Sequence, residues 1–392
     1  MDATTINAIH QSPWKGVFAL TGGGSSAIFD LQKRGGSSAT ILEVTIPYAT
    51  ESFVQYVGGA PDKFCSSEGA RALAMAAFQR ALKIQPATTP MLLRGECEDV
   101  TDHLFGLGAS CSLAKGRASE ERARRENHLW VALQTKDRTA AFHFVLPVAD
   151  REVQEQQAGE LICEVLAALC VTVVISLSKL MEQETEIDLL RNPYLVQTQF
   201  GGDSSSSLAN VITGQQRAAT PITKQETLFL SGSFNPLHRG HIAMRDYVQK
   251  LYPNNDVYYE LCIKNADKPP LDYIEIENRL RQFAPPDLVQ VSSASTFTEK
   301  AEIYPYPIFV VGADTWERIF DPKFYGGLAQ RDAAVQLLCA RGANFIIFGR
   351  VTKDGKFQLP TVSSPEAESM IVKIISEEEF RVDMSSTQLR EV

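Results

Sequence analysis

Several patterns that would place the chain in a specialised class are missing from it. Its seven cysteines form no C-x-x-C pair and are odd in number, which argues against a disulfide framework and against a zinc site of that spacing. The N-terminus lacks the pattern of a secretory signal peptide, so we expect reduced thiols in a cytoplasmic protein. The net charge of -9 offers no basic surplus, which disfavours nucleic acid and anionic membranes as partners.

A long apolar run is missing as well. The most hydrophobic stretch, residues 161–181, carries Glu164 and Lys179 near its ends. Its uncharged part is shorter than the ~20 residues that a membrane-spanning helix needs. The stretch therefore predicts a buried helix and no membrane partner.

The composition that remains is that of an ordinary globular protein, with 44% apolar and 22% charged residues. A length of 392 residues exceeds what one hydrophobic core usually serves, so we expect two domains. Residues 196–226 are rich in Ser, Gln, Thr and Gly and have no apolar period, which is typical of a linker. The predicted division is an N-terminal domain over 1–195, the linker 196–226 and a C-terminal domain over 227–392.

Strand-like and helix-like segments alternate in the C-terminal region. Short apolar runs are found at residues 227–231, 257–263, 308–311 and 344–348, and helical periods at 238–251 and 273–283. This alternation predicts an α/β fold with a Rossmann-like parallel sheet that has helices on both faces. Ligands of such sheets bind at the carboxyl ends of the strands, so the residues after each apolar run are the candidates for a site.

The first strand is followed by the motif SGSFNPLHRGH, residues 231–241. A glycine turn lets backbone amides approach a phosphate, and the helix after it directs its N-terminus at the same anion. His238 and His241 are three residues apart, so both lie on one face of the helix start and reach a nucleotide phosphate. The alternatives are two histidines in a surface loop or a zinc site. The zinc site is disfavoured because no H-E-x-x-H pattern and no Cys or carboxylate at ligand spacing is present, and we predict no metal ligands.

These residues resemble the ATP-binding signature of the HxGH-type nucleotidyltransferase superfamily. The other landmarks of its pyridine-nucleotide branch follow in order: KNADKPPL at 264–271, GADTW at 312–316 and MSSTQLR at 384–390. The resemblance covers nearly all of residues 227–392. It implies the nicotinamide or nicotinate mononucleotide adenylyltransferase fold and activity, in which the acceptor phosphate attacks the α-phosphorus of ATP in line.

The same resemblance implies three groups of site residues. The catalytic group is His238, His241 and Arg390. The ATP-binding group is Gly232, Ser233, Phe234, Asn235, Gly312, Asp314, Ser385, Ser386 and Thr387. The acceptor-binding group is Lys264, Asn265, Lys268, Arg279 and Trp316. Mg²⁺ is expected to bridge the phosphates of ATP.

Each of the later landmarks also has a structural interpretation. Ser385 and Gln388 fit a helix capping box, Asp314 fits a helix cap, and Trp316 fits a core residue. Phosphopantetheine is the alternative acceptor, while CTP-using relatives have a different closing signature. A protein of another class, a non-catalytic nucleotide sensor or scaffold, is the alternative function.

In the N-terminal region, a strand-like run enters a glycine-rich loop at FALTGGGSS, residues 18–26, and a second run of small residues spans 106–114. With the long helix that follows, they look like the C-terminal domain of CinA-type proteins, the nicotinamide-nucleotide amidase family, over residues 14–185. That resemblance implies a nucleophilic Ser before the Thr-Gly-Gly turn and a Lys downstream. Ala19 and Phe53 stand at those positions here, and neither side chain supports the chemistry.

We therefore predict an N-terminal α/β domain without amidase activity. Its loop is either a vestigial ligand site or a structural turn, and it comprises Thr21, Gly22, Gly23, Gly24 and Ser25. Ser25, Ser26 and Cys111 are the alternative nucleophiles of a live amidase, although the sequence shows no base for them. The domain is also a candidate for assembling a homo-oligomer.

Overall fold

The computed structural model describes residues 2–85, 100–114, 126–171, 189, 192–203, 206–264, 270–351, 356–362 and 364–381. The chain divides into two compact units. The first comprises residues 1–209 together with 265–275, and the second comprises residues 210–264 together with 276–392.

The first unit is built on a six-stranded mixed sheet in the order β2-β1-β3-β4-β5-β6. Its strands are β1 (Lys15–Thr21), β2 (Ile41–Thr45), β3 (Leu104–Ser112), β4 (Asn127–Gln134), β5 (Arg138–Leu146) and β6 (Leu195–Gly202). β1 pairs in parallel with β2 and β3, and the pairs from β3 to β6 are antiparallel. Its helices are α1 (Ala3–Gln11), α2 (Ser26–Gln32), α3 (Thr50–Val57), α4 (Ser67–Ile84) and α5 (Arg151–Val171).

Helix α5 covers the described part of the apolar stretch, and its residues Leu161, Ile162, Val165 and Leu166 are buried in the main core cluster of the first unit. The predicted buried helix is confirmed over that part. Among the described residues, no helix is long and apolar enough to cross a membrane.

The second unit contains a six-stranded sheet in the order β9-β8-β7-β10-β11-β14, and every pair in it is parallel. Its strands are β7 (Leu228–Gly232), β8 (Val257–Cys262), β9 (Leu288–Ser292), β10 (Ile308–Gly312), β11 (Asn344–Phe348) and β14 (Ile371–Ile375). β12 (Arg350–Val351) and β13 (Phe357–Gln358) form a separate antiparallel pair. In chain order the large sheet runs 3-2-1-4-5-6, which is the doubly wound arrangement. The predicted parallel sheet is confirmed.

Helices connect these strands. They are α6 (Ser207–Thr213), α7 (Arg239–Leu251), α8 (Tyr273–Leu280), α9 (Phe297–Ile303), α10 (Ala313–Phe320), α11 (Leu328–Ala340) and α12 (Pro365–Ser369). A core cluster joins Phe229, Phe309 and Phe345 of the sheet to helical residues such as Leu338 and Trp316.

The structure differs from the linker predicted over 196–226. β6 occupies residues 195–202 and pairs with β5, α6 follows it, and the backbone of Ala219 donates to the Val291 carbonyl of the second sheet. The composition of residues 196–226 led to a wrong prediction for a physical reason. β6 is an edge strand with an exposed, polar face, so it needs no apolar period.

The predicted boundary of the C-terminal domain differs as well, because residues 265–275 cluster with the first unit. Arg71 of α4 donates to both carboxylate oxygens of Asp272, at 2.7 and 2.5 Å, and both side chains are buried. The Tyr273 amide donates to Thr139 Oγ1 at 3.1 Å. A contact between residues 201 positions apart carries no local sequence signal, so the pattern of the chain did not show it.

Two glycines let α4 lie directly on β3. A Cβ atom on Gly106 would be 2.1 Å from the Ala74 carbonyl oxygen, and one on Gly108 would be 2.2 Å from the Ala70 carbonyl oxygen. The facing helix residues are alanines, so backbone packs on backbone at this point.

We expect Gly108→Ala to lower the free energy of unfolding by roughly 3 kcal/mol, because the helix backbone has to move to admit one methyl group. Urea denaturation followed by circular dichroism measures the change. Ser112→Ala, at an exposed position of the same strand, is the matched control and should have little effect. Equal stability of the Gly108 variant and the parent would contradict the close approach of α4.

Candidate functional site

The doubly wound order reverses between β7 and β10, and the two candidate nucleotide motifs follow these neighbouring strands. The turn after β7 contains Gly232 to Leu237, and helix α7 begins at Arg239. β10 ends at Gly312, where α10 begins. Because the strands are parallel, both motifs lie at the same edge of the sheet, where ligands of this fold class bind.

His238 and His241 form a capping box at the start of α7. The Gly240 amide donates to Nδ1 of His238 at 3.1 Å, and the His238 amide donates to Nδ1 of His241 at 3.3 Å. The two rings stack with their centroids 3.7 Å apart. The helix start therefore holds both imidazoles in one orientation, as the spacing of the two residues predicted.

This geometry decides which tautomer each ring adopts. A nitrogen that accepts an N–H carries no proton, so a neutral ring here bears its proton on Nε2. Burial, together with the charge of the neighbouring His238, lowers the pKa of His241 to about 4. Burial also lowers the pKa of His238. Both rings are thus neutral donors through Nε2 near pH 7, suited to a phosphate oxygen.

Phe234 gives the turn after β7 its shape. Its φ of 45° is in the left-handed region, and its side chain is buried against His241, Tyr259 and Phe283. A Cβ on Gly232 would lie 2.8 Å from this ring, which explains the glycine. Phe234 therefore contributes its backbone to the turn, while its ring belongs to the core. Ser233 and Asn235 beside it are exposed.

At the end of β10, Asp314 pairs with Arg350 at 3.2 Å, and both side chains are about half exposed. No motif of the sequence indicates Arg350. The available signal was its position two residues after the apolar run Asn344–Phe348, at the carboxyl end of β11. The pair adds a guanidinium to this edge of the sheet, where a nucleotide phosphate would need one.

The acceptor-binding residues are placed only in part. Lys264 follows β8, and its carbonyl accepts the Cys262 thiol at 2.8 Å. Arg279 of α8 donates to the Ser233 carbonyl at 2.8 Å, so it contacts the turn after β7. Asn265 and Lys268 lie outside the described residues.

The structure contradicts the acceptor-binding role predicted for Trp316. Its ring is 0% exposed, packs on Phe320 and Phe345, and donates from Nε1 to the Thr361 carbonyl at 3.0 Å. The hydrophobic face of α10 requires a large core residue here, so the structural interpretation holds.

Ser385, Ser386, Thr387 and Arg390 lie outside the described residues, and their roles stay predictions. Within the ranges that the structure describes, no group of three or more His, Cys, Asp or Glu side chains is arranged to hold a metal ion. The cysteines in those ranges are free thiols.

In the first unit, the glycine-rich loop after β1 closes around the carboxylate of Glu155 from α5. Gly24 N donates to Oε2 at 2.9 Å, Ser25 Oγ donates to Oε1 at 2.8 Å, and Ser26 N donates to Oε1 at 3.3 Å. Thr21 donates its hydroxyl to the Pro47 carbonyl at 3.0 Å. A ligand anion at these amides would have to displace Glu155. Glu155 is also the partner for Ser25 that sequence did not reveal.

The backbone of this loop requires its glycines. Gly22 and Gly24 have φ of 78° and 82°, and a Cβ on Gly22 would lie 2.0 Å from the Cys111 carbonyl oxygen. A Cβ atom on Gly23 would lie 2.4 Å from the Leu113 side chain. These constraints explain the Thr-Gly-Gly-Gly sequence without a ligand.

The two positions where the sequence resemblance implies amidase residues are apolar in structure as well as in sequence. Ala19 of β1 and Phe53 of α3 are 0% and 1% exposed and belong to one hydrophobic cluster. Burial raises the pKa of the Cys111 thiol well above its usual range, so it is a poor nucleophile. Ser26 donates its hydroxyl to the Glu155 carbonyl at 2.7 Å rather than to a base.

Comparison with known proteins found similarity only among solved structures. No family model and no curated protein matches the chain. Among solved structures it is similar to a CinA-superfamily protein from Klebsiella pneumoniae, with 12% identity, a TM-score of 0.31, and coverage of 43% of this chain and 93% of the other. It is similar to the competence/damage-inducible protein CihA from Agrobacterium tumefaciens, with 16% identity, a TM-score of 0.29, and coverage of 43% and 97%.

A competence or damage-inducible protein from Enterobacter asburiae gives 13% identity, a TM-score of 0.30, and coverage of 43% and 92%. TM-scores at this level carry no argument about fold or activity.

We expect the His241 ring to titrate with a midpoint at about pH 4. The unfolded chain takes up this proton near the ordinary pKa of about 6.5. The neutral His241 ring therefore makes its full contribution to the free energy of unfolding above about pH 6.5, and this contribution is lost as the pH falls through about 4. Histidine ring NMR signals across this range measure the midpoint, with His241→Gln for assignment. A midpoint near 6.5 would contradict the buried, stacked geometry.

We expect Glu155→Ala to lower the free energy of unfolding by about 1–3 kcal/mol, because the loop amides of Gly24 and Ser26 lose their acceptor. Thermal denaturation measures the effect. Glu152→Ala removes an exposed carboxylate from the same helix and serves as the control. Equal melting temperatures for the two variants would show that the carboxylate does not hold the loop.

Proposed function

We propose that the second unit transfers AMP from ATP to a pyridine mononucleotide, nicotinamide or nicotinate mononucleotide, giving NAD⁺ or its deamido form and pyrophosphate. The observation that carries the proposal is the stacked pair of neutral histidines at the start of α7, beside the turn after β7. Two imidazole Nε2 donors and a helix N-terminus converge at the edge of a doubly wound sheet where phosphates bind.

This arrangement suits a reaction that needs no covalent nucleophile. The acceptor phosphate is already ionised and attacks the α-phosphorus of ATP, while pyrophosphate leaves. The protein has to hold two polyanions in line and offset the charge that develops on the transferred group. Under the proposal, His238 and His241 donate to the α-phosphate region, and Arg390 with Ser385, Ser386 and Thr387 holds the outer phosphates.

A divalent cation fits this site only as a companion of the nucleotide. The described residues contain no three-ligand group, and the one carboxylate at the end of β10, Asp314, already pairs with Arg350. Mg²⁺ typically binds through substrate phosphates and water, which agrees with such a site. Bound with ATP, it would neutralise phosphate charge.

Under the proposal, the segment after β8 binds the acceptor. Lys264 and Lys268 supply charge for the acceptor phosphate under the proposal, while Arg279 is engaged with the Ser233 carbonyl. Phosphopantetheine is also a phosphomonoester, so it is the alternative acceptor. The resemblance of residues 264–271 and 312–316 to the pyridine-nucleotide branch favours the mononucleotides.

For the first unit we propose a role other than amide hydrolysis. The apolar packing of Ala19 and Phe53 and the occupation of the loop by Glu155 support it. Assembly of a homo-oligomer is the role that we propose for this unit.

The purified full-length protein should release pyrophosphate from ATP and Mg²⁺ when one of the two mononucleotides is present. His241→Ala should lower the rate by about 10²–10³, the usual effect of removing one positioned donor. The controls are phosphopantetheine as acceptor, a reaction without acceptor, and Lys250→Ala, an exposed variant at the far end of the same helix.

If only phosphopantetheine supported turnover, the proposed acceptor would be wrong, while the proposed transfer of AMP from ATP would stand. ATP binding without turnover of any acceptor would instead favour the nucleotide sensor. Release of ammonia from nicotinamide mononucleotide would contradict the loss of amidase chemistry.

A further inference from the structure

We propose that Gln282 is a positioning residue that holds the turn after β7 in the shape that binds ATP. The inference rests on the proposed function, and it assigns a role to a side chain that no motif of the chain contains. Gln282 lies two residues after the end of α8, in the second unit.

The turn needs a device of this kind because its backbone is strained. Phe234 adopts a φ of 45°, a conformation that costs a bulky residue free energy and persists only where the surroundings enforce it. Its buried ring fixes one side of the turn. The carbonyl of Phe234 and the amide of Leu237 remain to be held from the other side.

The Gln282 carboxamide contacts both of these groups. Its Nε2 donates to the Phe234 carbonyl at 2.9 Å, and its Oε1 accepts the Leu237 amide at 2.7 Å. One planar amide thus bridges the two ends of the segment 234–237, as a paired strand would. Leu237 directly precedes His238, so this bridge also sets the residue that caps α7.

Two further contacts support the bridge from the same helix end. Arg279 donates to the Ser233 carbonyl at 2.8 Å, and the Phe283 ring packs edge-on against Phe234 with centroids 5.5 Å apart. The last turn of α8 and the residues just after it therefore contact three residues of the turn, Ser233, Phe234 and Leu237. This contact set makes Arg279 a positioning residue for the nucleotide turn as well.

The chemistry requires a glutamine at position 282. A carboxamide donates and accepts at the same time, whereas a carboxylate only accepts and a thioether does neither well. Gln282→Glu therefore keeps the acceptor for the Leu237 amide and loses the donor to Phe234. Gln282→Met keeps the length and loses both.

The first readout needs no activity. Protein labelled with ¹⁵N-leucine should show slow exchange of the Leu237 amide in the parent and in Gln282→Glu, and fast exchange in Gln282→Met. Gln249→Met is the matched control, since Gln249 donates to the Tyr252 and Asn255 carbonyls at the far end of α7. Equal exchange of Leu237 in the parent and in Gln282→Met would overturn the proposal.

The second readout is steady-state kinetics with Mg-ATP and the accepted mononucleotide. Gln282→Met should raise KM for ATP about 5- to 30-fold, the effect of one or two hydrogen bonds, and leave KM for the acceptor unchanged. A merely structural loss would lower kcat through a smaller folded fraction and leave both KM values alone, and that outcome would also overturn the proposal.

The two proposals fail in distinguishable ways. A parent protein that transfers no AMP refutes the proposed function, while Leu237 exchange still tests whether Gln282 holds the turn. A parent that transfers AMP, with a Gln282→Met variant of unchanged KM for ATP, refutes the positioning role alone.

Discussion

The parallel pairing of β7 with β10 is the constraint on which the second unit depends. β7 continues through its crossover to β8 on one side, while β10 lies on the other and continues to β11. Connections on the two sides lead away from each other, so a crevice opens at the carboxyl ends of this pair. The two histidines at the start of α7 follow β7, where the chain leaves the sheet. In the same way, Asp314 follows β10 and its partner Arg350 follows β11.

Desolvation gives the histidine pair its chemical character. A charged imidazole binds phosphate more strongly in water, yet two charged rings stacked at 3.7 Å would repel each other. Burial removes that conflict by lowering the pKa of both rings. In the capping box, Nδ1 of each ring accepts a backbone amide, so the one proton of each neutral ring is on Nε2. The two rings are therefore neutral donors in fixed positions, and they do not have to move when charge develops on a ligand.

In the first unit, apolar side chains and a carboxylate occupy the positions where the sequence resemblance implies an amidase site. Ala19 and Phe53 complete an apolar cluster, and Glu155 supplies the anion that the loop amides would otherwise take from solvent or ligand. Gly22 and Gly24 both have a positive φ, and a Cβ atom would meet the Cys111 carbonyl at Gly22 and the Ile162 side chain at Gly24. The glycines therefore have a structural role in this loop.

Much of the architecture was readable from local pattern. The apolar runs predicted at 227–231, 257–263, 308–311 and 344–348 correspond to parallel strands, and the helical period predicted at 238–251 corresponds to a helix, because periodicity and turn chemistry act over a few residues. β6 escaped detection since an edge strand needs little apolar surface. Arg350 and Gln282 escaped because neither lies within a motif, and their partners are 36 and 45 to 48 positions away in the chain.

The sequence by itself determined the α/β class, the order of the strands along the chain, and the helix start that brings His238 and His241 to one face. The tertiary structure decided which strands are neighbours, that Trp316 is core, that Glu155 fills the glycine loop, and that Gln282 bridges the strained turn. The physical reason is the distance along the chain over which each kind of interaction acts. Propensity, capping and periodicity act between near neighbours in the chain, whereas burial and side-chain bridges depend on residues that meet only after folding.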